Sequence, residues 1–316
     1  MTRAAAKRLR RALRRPFEWL GIGLGLALFV PLPRRALFAV ADFISAVFWL
    51  CDRKGRRHAE ANLAVLFAAR PLSGRRRRLV IRRSYRNMAR SVAYAFWTFR
   101  HARARAAATG EMDARAKAFL AANRPAVTVS AHLGCWEILS QLALLEGHAM
   151  MSVAKDVGSP AMTRLLMRAR RSVGQEIVSA RGAFRPLLAG IRAGKSLGLL
   201  VDQAVRPADG GQWVRFCGRP HPVSAAPAFF AAKAKAPILV AWARPLKGAR
   251  YRCEFVAAHS AEEARDVWGA TQAVLADLER VIRRHPSAWA LNYNCFRKHP
   301  TAAELAQLEK REAEAR

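Results

Sequence analysis

Six short apolar runs, separated by stretches with helical spacing, dominate the chain after residue 110. The runs that resemble buried strands are 126–131, 149–154, 176–179, 196–201, 238–243 and 251–256. Helical patterns occupy 135–147, 159–172, 182–193, 224–235 and 261–285. Strands that alternate with helices predict an α/β fold in which a mostly parallel sheet is flanked by helices. In such sheets, functional groups collect in the loops at the carboxyl ends of the strands.

The segment 130–137, Ser-Ala-His-Leu-Gly-Cys-Trp-Glu, contains the strongest candidate for chemistry. His132 and Glu137 are five positions apart, about 140° around a continuous helix, so they converge only where the backbone turns. A strand before them, Gly134 between them and a helical pattern from Glu137 onward provide that turn. A histidine oriented by a carboxylate suits removal of a proton from a hydroxyl group. We expect His132 to be the general base, and Cys135 to pack rather than to act as a nucleophile.

The charge balance points to an anionic partner. The chain of 316 residues has 55 Lys and Arg against 22 Asp and Glu, a net charge of +33. No nucleic-acid reading motif is present, so a membrane surface is favoured over nucleic acid. Five widely spaced cysteines without a CxxC pair argue against a disulfide framework or a zinc site. The sequence has no glycine-rich phosphate loop, GxSxG motif or metal-ligand cluster, so nucleotide binding and classical hydrolase chemistry lack support, and no metal or cofactor is expected.

The N-terminal region carries the clearest membrane signal. Residues 1–15 are strongly basic, and the apolar runs 17–32 and 36–50 that follow are each shorter than the about 20 residues of a confident bilayer span. A cleaved signal peptide, a buried core helix and a membrane-inserted or interfacial anchor are the alternatives. We favour the anchor, because basic residues precede the apolar run.

Three parts of the chain are therefore expected. Residues 1–52 form a basic N-terminus with membrane-anchoring helices, 53–300 an α/β domain, and 301–316 a helical tail. Within the domain, residues 53–108 read as basic amphipathic helices that lie against anionic lipid headgroups.

The ordered set of motifs resembles the bacterial lipid A biosynthesis acyltransferases, the late lauroyl and myristoyl transferases. These belong to the wider glycerolipid acyltransferase superfamily with its His-x-x-x-x-Asp/Glu signature. Besides His132 and Glu137, the resemblance rests on Arg181 before Phe184-Arg185-Pro186, on Val201-Asp202-Gln203, on 214–220, on Ala236-Pro237-Ile238 and on 283–289. Two places depart from the family pattern, Ala204 after the Asp-Gln element and the segment after Trp289.

The resemblance implies transfer of a fatty acyl group from a thioester to a hydroxyl of a lipid A precursor, on the cytoplasmic face of the inner membrane. Acyl carrier protein is the expected donor, with acyl-CoA as the alternative. On this view Glu137 fixes the tautomer of His132, and either the backbone around Gly134 or an arginine stabilises the oxyanion. Arg181 and Arg185 are candidates for binding the acceptor phosphate.

Asp202 is expected to orient an arginine or the acceptor, or only to end a strand. The departures leave a lysophospholipid or glycolipid acceptor open. A non-catalytic membrane-binding protein of the same fold is the remaining alternative.

Overall fold

Helices outnumber strands in the computed structural model, which describes residues 16–17, 19–154 and 160–315. The helices are α1 (19–29), α2 (Arg34–Cys51), α3 (Arg53–Leu66), α4 (Gly74–Trp97), α5 (Ala102–Thr109), α6 (Ala114–Ala122), α7 (Glu137–Leu145), α8 (Pro160–Ser172), α9 (Phe184–Arg192), α10 (Ala226–Ala234), α11 (Val267–Arg284) and α12 (Ala302–Glu314). The strands are β1 (Gly110–Met112), β2 (Val127–Ser130), β3 (Met150–Ala154), β4 (Glu176–Ser179), β5 (Ser196–Leu200), β6 (Gly211–Phe216), β7 (Arg219–Ser224), β8 (Ile238–Leu246) and β9 (Arg250–His259). A 3₁₀ turn at Pro286–Ala288 follows α11.

Seven strands form the central sheet, in the order β1-β9-β8-β2-β5-β3-β4. Only β8 and β9 are antiparallel neighbours, and the other five neighbouring pairs are parallel. The α/β architecture with a mostly parallel sheet is thus confirmed, and all six predicted strands are present. The sequence did not predict the short β1 or the separate β6–β7 hairpin. Strand β7 contains Pro220 and Pro222, and proline ordinarily argues against a strand.

Both faces of the sheet are buried. Along β8, Ile238, Val240 and Trp242 belong to one core cluster, which also contains residues of α10 and α11. The alternate residues Leu239 and Ala241 belong to the other cluster, which contains residues of α2, α4 and α7. This alternation follows from the twofold repeat of a strand, and burial on both sides is typical of parallel sheets.

Helix α4 connects the N-terminal helices to loops at the edge of the sheet. Arg90 of α4 forms a two-point ion pair with Asp42 of α2, with both N–O distances 2.6 Å. Three polar side chains of α4 donate hydrogen bonds to backbone carbonyls: Ser84 to Trp289 (2.5 Å), Asn87 to Ser287 (2.7 Å) and Ser91 to Gly134 (2.8 Å). The helix therefore holds the loop after β2 and the segment after α11 together.

Helices α1 and α2 expose much of their apolar surface. The exposed large apolar residues of this region are Phe17, Trp19, Leu20, Leu24, Leu28, Phe43, Ile44, Val47, Phe48 and Leu50. Within the described part of the chain, no helix combines the length and the apolar character needed to cross a membrane. The predicted basic segment 1–15 lies outside the described residues. The anchor, and the division of the chain at residues 52 and 300, stay predictions.

Candidate active site

The loop between β2 and α7 makes the tight turn that the sequence predicted. Strand β2 ends at Ser130, Gly134 adopts a left-handed conformation with φ of +64°, and α7 begins at Glu137. A Cβ atom on Gly134 would lie 1.8 Å from the backbone oxygen of Ala243, so no larger residue fits there. The strand–turn–helix is therefore fixed by close backbone packing as well as by the φ requirement.

The carboxylate that holds His132 is Asp202. Asp202 Oδ1 accepts a hydrogen bond from Nδ1 of His132 at 2.8 Å and from its backbone nitrogen at 3.1 Å. Each residue comes two positions after its strand, and the last residues of the strands, Ser130 and Leu200, are paired in register. Neighbouring parallel strands thus bring the two side chains together at the carboxyl edge of the sheet. The expectation that Glu137 fixes the tautomer of His132 was wrong, since Asp202 occupies Nδ1.

Glu137 forms an ion pair with Arg170 of α8 instead. Its two carboxylate oxygens accept hydrogen bonds from Nε and Nη2 of Arg170 at 2.9 and 2.5 Å. Nε1 of Trp136 donates a further bond to Glu137 at 3.1 Å. Glu137 still lies near enough to His132 for its charge to raise the pKa of that imidazole. The site therefore contains two charged pairs side by side, His132–Asp202 and Glu137–Arg170.

The electrostatics of the site favour ionised carboxylates. Burial alone would lower the pKa of His132, but the charge of Asp202 and the hydrogen bond to it outweigh burial and raise the pKa. Burial alone would raise the pKa of Asp202, yet the His132 charge and three hydrogen bonds bring that pKa below its usual value. Arg170 likewise outweighs burial and lowers the pKa of Glu137. Both carboxylates are anionic at neutral pH, which suits them to support a cation.

Asp202 is held on every side by buried groups. Its Oδ2 accepts a hydrogen bond from Nε1 of Trp289 at 2.9 Å. Its backbone oxygen accepts bonds from Nε2 of His221 at 3.3 Å and from the Cys295 thiol at 3.5 Å. Burial lowers the pKa of His221 to about 4, so this imidazole is neutral and donates from Nε2. His221 and Trp289 thereby acquire a structural place that the sequence did not assign.

Nε2 of His132 is the ring nitrogen that does not bond to Asp202. The His132 side chain keeps 22% of its surface exposed, whereas Asp202 keeps 4%. Nε2 of Gln203 lies 3.4 Å from Nε2 of His132, and the Trp136 ring meets the imidazole edge to face at a centroid distance of 5.0 Å. With the Nδ1 proton donated to Asp202, the lone pair on Nε2 accepts the hydrogen bond from the Gln203 amide, and a substrate hydroxyl that took the place of this amide could give its proton to Nε2.

The chain matches one known family. Residues 3–298 fit the family described as bacterial lipid A biosynthesis acyltransferase. No curated protein sequence matches the chain. This match covers nearly the whole length and agrees with the resemblance seen in the motifs. The chain belongs to the bacterial lipid A biosynthesis acyltransferase family.

The cysteine of the loop after β2 is not arranged to act as a nucleophile. Burial raises the pKa of the Cys135 thiol to about 12, so the cysteine between His132 and Glu137 is protonated at neutral pH. A thiol in that state is a poor nucleophile. Among the described residues, no group of three or more His, Cys, Asp or Glu side chains is arranged to hold a metal ion.

The two arginines predicted to bind the acceptor form no hydrogen bond with the two charged pairs in the described part of the chain. Arg181 and Arg185 are exposed, at the turn before α9 and in its first turn. Neither forms an ion pair with another residue in the described ranges. Their role in binding stays a prediction, while Arg170, which the sequence did not single out, is the arginine that the fold brings to the site.

The pairing of His132 with Asp202 was missed, although the sequence contained a signal for it. The strand-end rule placed both His132 and Asp202 at the same edge, and parallel pairing of their strands would have brought them together. No comparable signal exists for Arg170, which is one of 55 basic residues. Trp289 and Gln203 lie in quoted motifs, but their contacts depend on how distant segments pack.

Proposed function

We propose that this acyltransferase moves a fatty acyl group from the thioester of acyl carrier protein to a hydroxyl group of a lipid A precursor. We place the reaction at the cytoplasmic face of the bacterial inner membrane. The observation that carries the proposal is the His132–Asp202 pair, in which a buried anion holds Nδ1 of an imidazole whose ring remains partly exposed. Such a pair serves a general base when the nucleophile is a substrate hydroxyl.

In the proposed reaction, Nε2 of His132 takes the proton of the acceptor hydroxyl as its oxygen attacks the thioester carbonyl. A tetrahedral oxyanion forms and then collapses, which breaks the carbon–sulfur bond. The leaving thiolate takes the proton back from the imidazolium, so the products are an ester and a free thiol. Asp202 keeps the proton on Nδ1 and stabilises the transient positive charge of His132.

Backbone groups of the loop are poor candidates for the oxyanion donor, because their N–H groups are already bonded. Four consecutive N–H groups of residues 132–135 donate to Asp202, to Ala131 and to the backbone oxygens of Ala288 and Ala243. We therefore assign oxyanion stabilisation to Arg170. Its Nε and Nη2 are fixed by Glu137, which leaves Nη1 to donate to the developing charge.

The donor assignment rests on charge. Acyl carrier proteins are acidic, and this chain carries a net charge of +33. Opposite charges steer encounter and make the association rate fall with salt. An acyl-CoA donor is also anionic, so donor identity has to be measured directly.

The membrane assignment rests on the exposed apolar residues of α1 and α2. Contiguous apolar surface of this kind marks interaction sites, and helices with basic flanks of this type lie in the interface between lipid and water. We propose that the two helices rest on the bilayer surface. Replacing Phe43 and Phe48 by Ser should release the protein from vesicles of anionic lipid in a sedimentation assay. Phe184→Ser, at an exposed aromatic residue of α9, is the matched control and should leave binding unchanged.

The decisive test is a transfer assay with His132→Ala. The purified full chain receives acyl carrier protein thioester and a lipid A precursor in mixed micelles, and the lipid products are measured by mass spectrometry. Loss of the base should reduce turnover by about 10²–10⁴-fold. His299→Ala, at an exposed histidine, should leave turnover unchanged.

Other outcomes separate the alternatives. Equal turnover in His132→Ala and wild type would remove the base assignment. Transfer only from acyl-CoA would correct the donor, and transfer only to a lysophospholipid would correct the acceptor. Binding of lipid with no transfer from any donor would favour the non-catalytic alternative.

A further inference from the structure

A cavity of about 340 Å³ lies between the first half of α4, the loop after α3 and the end of α11. We call it the arginine cavity, because four arginines line it: Arg76, Arg83, Arg283 and Arg284. None of its lining residues belongs to the two charged pairs of the active site. Its volume falls within the range of small-molecule sites in proteins, about 300–1,000 Å³.

Positive charge in the arginine cavity is not balanced by the protein. Arg283 pairs with Glu279 and also donates to the backbone oxygen of Leu66. The other three, Arg76, Arg83 and Arg284, form no ion pair with any residue in the described ranges. None of the described residues that line the cavity is an aspartate or a glutamate. Three guanidinium groups around one concavity repel one another, and an anion between them relieves that repulsion.

The walls of the arginine cavity combine donors with apolar surface. Ser287 lies at the wall formed by the 3₁₀ turn. Phe67, Leu72 and Val80 contribute an apolar wall to the same cavity. Guanidinium groups bind phosphate through paired hydrogen bonds, and the apolar wall suits a hydrocarbon portion attached to it.

We propose that the arginine cavity binds a phosphate group. Inorganic phosphate and the phosphate of a lipid headgroup share the chemistry that the three free arginines recognise. The apolar wall favours the lipid source. This site is separate from the acyl-transfer site and does not depend on the function proposed above.

Binding can be measured without any activity readout. The purified full chain is titrated in a calorimeter with inorganic phosphate, with dihexanoyl phosphatidate and with dihexanoyl phosphatidylcholine. We expect inorganic phosphate and phosphatidate to bind, and phosphatidylcholine, a phosphodiester, to bind more weakly. The double variant Arg76→Gln/Arg284→Gln should weaken phosphate binding by about tenfold or more, the effect of losing charge-assisted hydrogen bonds.

The matched control is Arg77→Gln/Arg78→Gln. These two arginines are exposed on the same helix and do not line the cavity, so the control removes the same charge. It should bind phosphate as the wild type does. Tighter binding of phosphatidate than of inorganic phosphate would assign the site to a lipid, and equal binding would assign it to the free ion.

Three results would overturn the proposal. One is that neither inorganic phosphate nor phosphatidate binds. Another is an equal loss of binding in the two double variants, which would mean general charge attraction rather than a site. The third is tighter binding of polyglutamate than of phosphate, which would identify the arginine cavity as a docking surface for an acidic protein.

Discussion

Asp202 and Glu137 are two anionic carboxylates near the same imidazole, yet their surroundings differ. Asp202 is almost completely buried and bonds to His132, Trp289 and, through its backbone, to His221. Glu137 lies at the start of a helix and gives both oxygens to a more exposed arginine. The first region orients an imidazole, and the second region positions a guanidinium cation. Closeness in sequence between a carboxylate and a histidine therefore does not show that the two are hydrogen-bonded in the fold.

Among variants of the two regions, Asp202→Asn, which removes the carboxylate of the first region, should have the largest effect on turnover. The amide of Asn cannot stabilise the imidazolium, and it can favour the tautomer with the proton on Nε2. We therefore expect turnover to fall by about 10³–10⁴-fold. Asp277→Asn is the matched control, because Asp277 forms an equivalent 2.8 Å pair with His259 away from the site. The control should lose stability and retain turnover. Similar kinetics in the two variants would show that Asp202 acts only through stability.

Glu137→Gln tests the second region. Without the ion pair, Arg170 loses its orientation, and we expect turnover to fall by about 10²-fold. Urea unfolding should show a loss of about 2–3 kcal/mol. This is less than for a fully buried pair, since Arg170 keeps 21% exposure. Adding Arg170→Met should restore part of the stability and none of the turnover. Recovery of turnover in the double variant would contradict a role for Arg170.

The pH dependence should separate the two carboxylates. His132 acts in its neutral form, so kcat/KM rises as pH rises through its pKa, which Asp202 raises above the ordinary value of histidine. Residual activity of Asp202→Asn should therefore titrate at lower pH than the wild type, with a smaller shift for Glu137→Gln. If the acid limb of the kcat/KM profile did not shift in either variant, that limb would report a group other than His132.

The same pair couples stability to pH. A group with a raised folded pKa stabilises the fold fully below its unfolded pKa, and that contribution is lost as pH rises through the folded pKa. Thermal unfolding of Asp202→Asn should lack this component.

Trp289→Phe should have a smaller effect, because it removes one of several bonds to Asp202. Losing the 2.9 Å bond to Oδ2 should cost about tenfold in turnover. Trp268→Phe removes a comparable 3.0 Å indole bond, to the backbone oxygen of Trp213, and serves as the control. The control should leave turnover at the wild-type value, and equal losses would contradict a specific role for Trp289.

Cys135→Ala should have the smallest effect. The thiol is buried and its pKa of about 12 keeps it protonated, so turnover should stay within about twofold of wild type. Complete loss of turnover in this variant would instead support a role for Cys135 as a nucleophile.

The sequence predicted more of the fold than of the contacts within the site. The short apolar runs and the helical spacing between them identified six strands of the sheet, and Gly134 indicated the turn after His132. The partner of His132 was missed because it depends on β2 and β5 being neighbours although about 70 residues separate them. The hairpin of β6 and β7 was missed because β7 contains two prolines, which ordinarily argue against a strand. Arginine positions were least predictable, since one guanidinium among 55 basic residues has no distinguishing local pattern.

Helix α4 has a consequence for substrate selection. Its 24 residues span about 36 Å, and it is bonded both to α2 and to the backbone around Gly134 and Trp289. If α2 rests on a bilayer, as we propose, this helix would set the height of His132 above the lipid surface. The acceptor hydroxyl would then be selected by its depth in the lipid layer as well as by its chemistry.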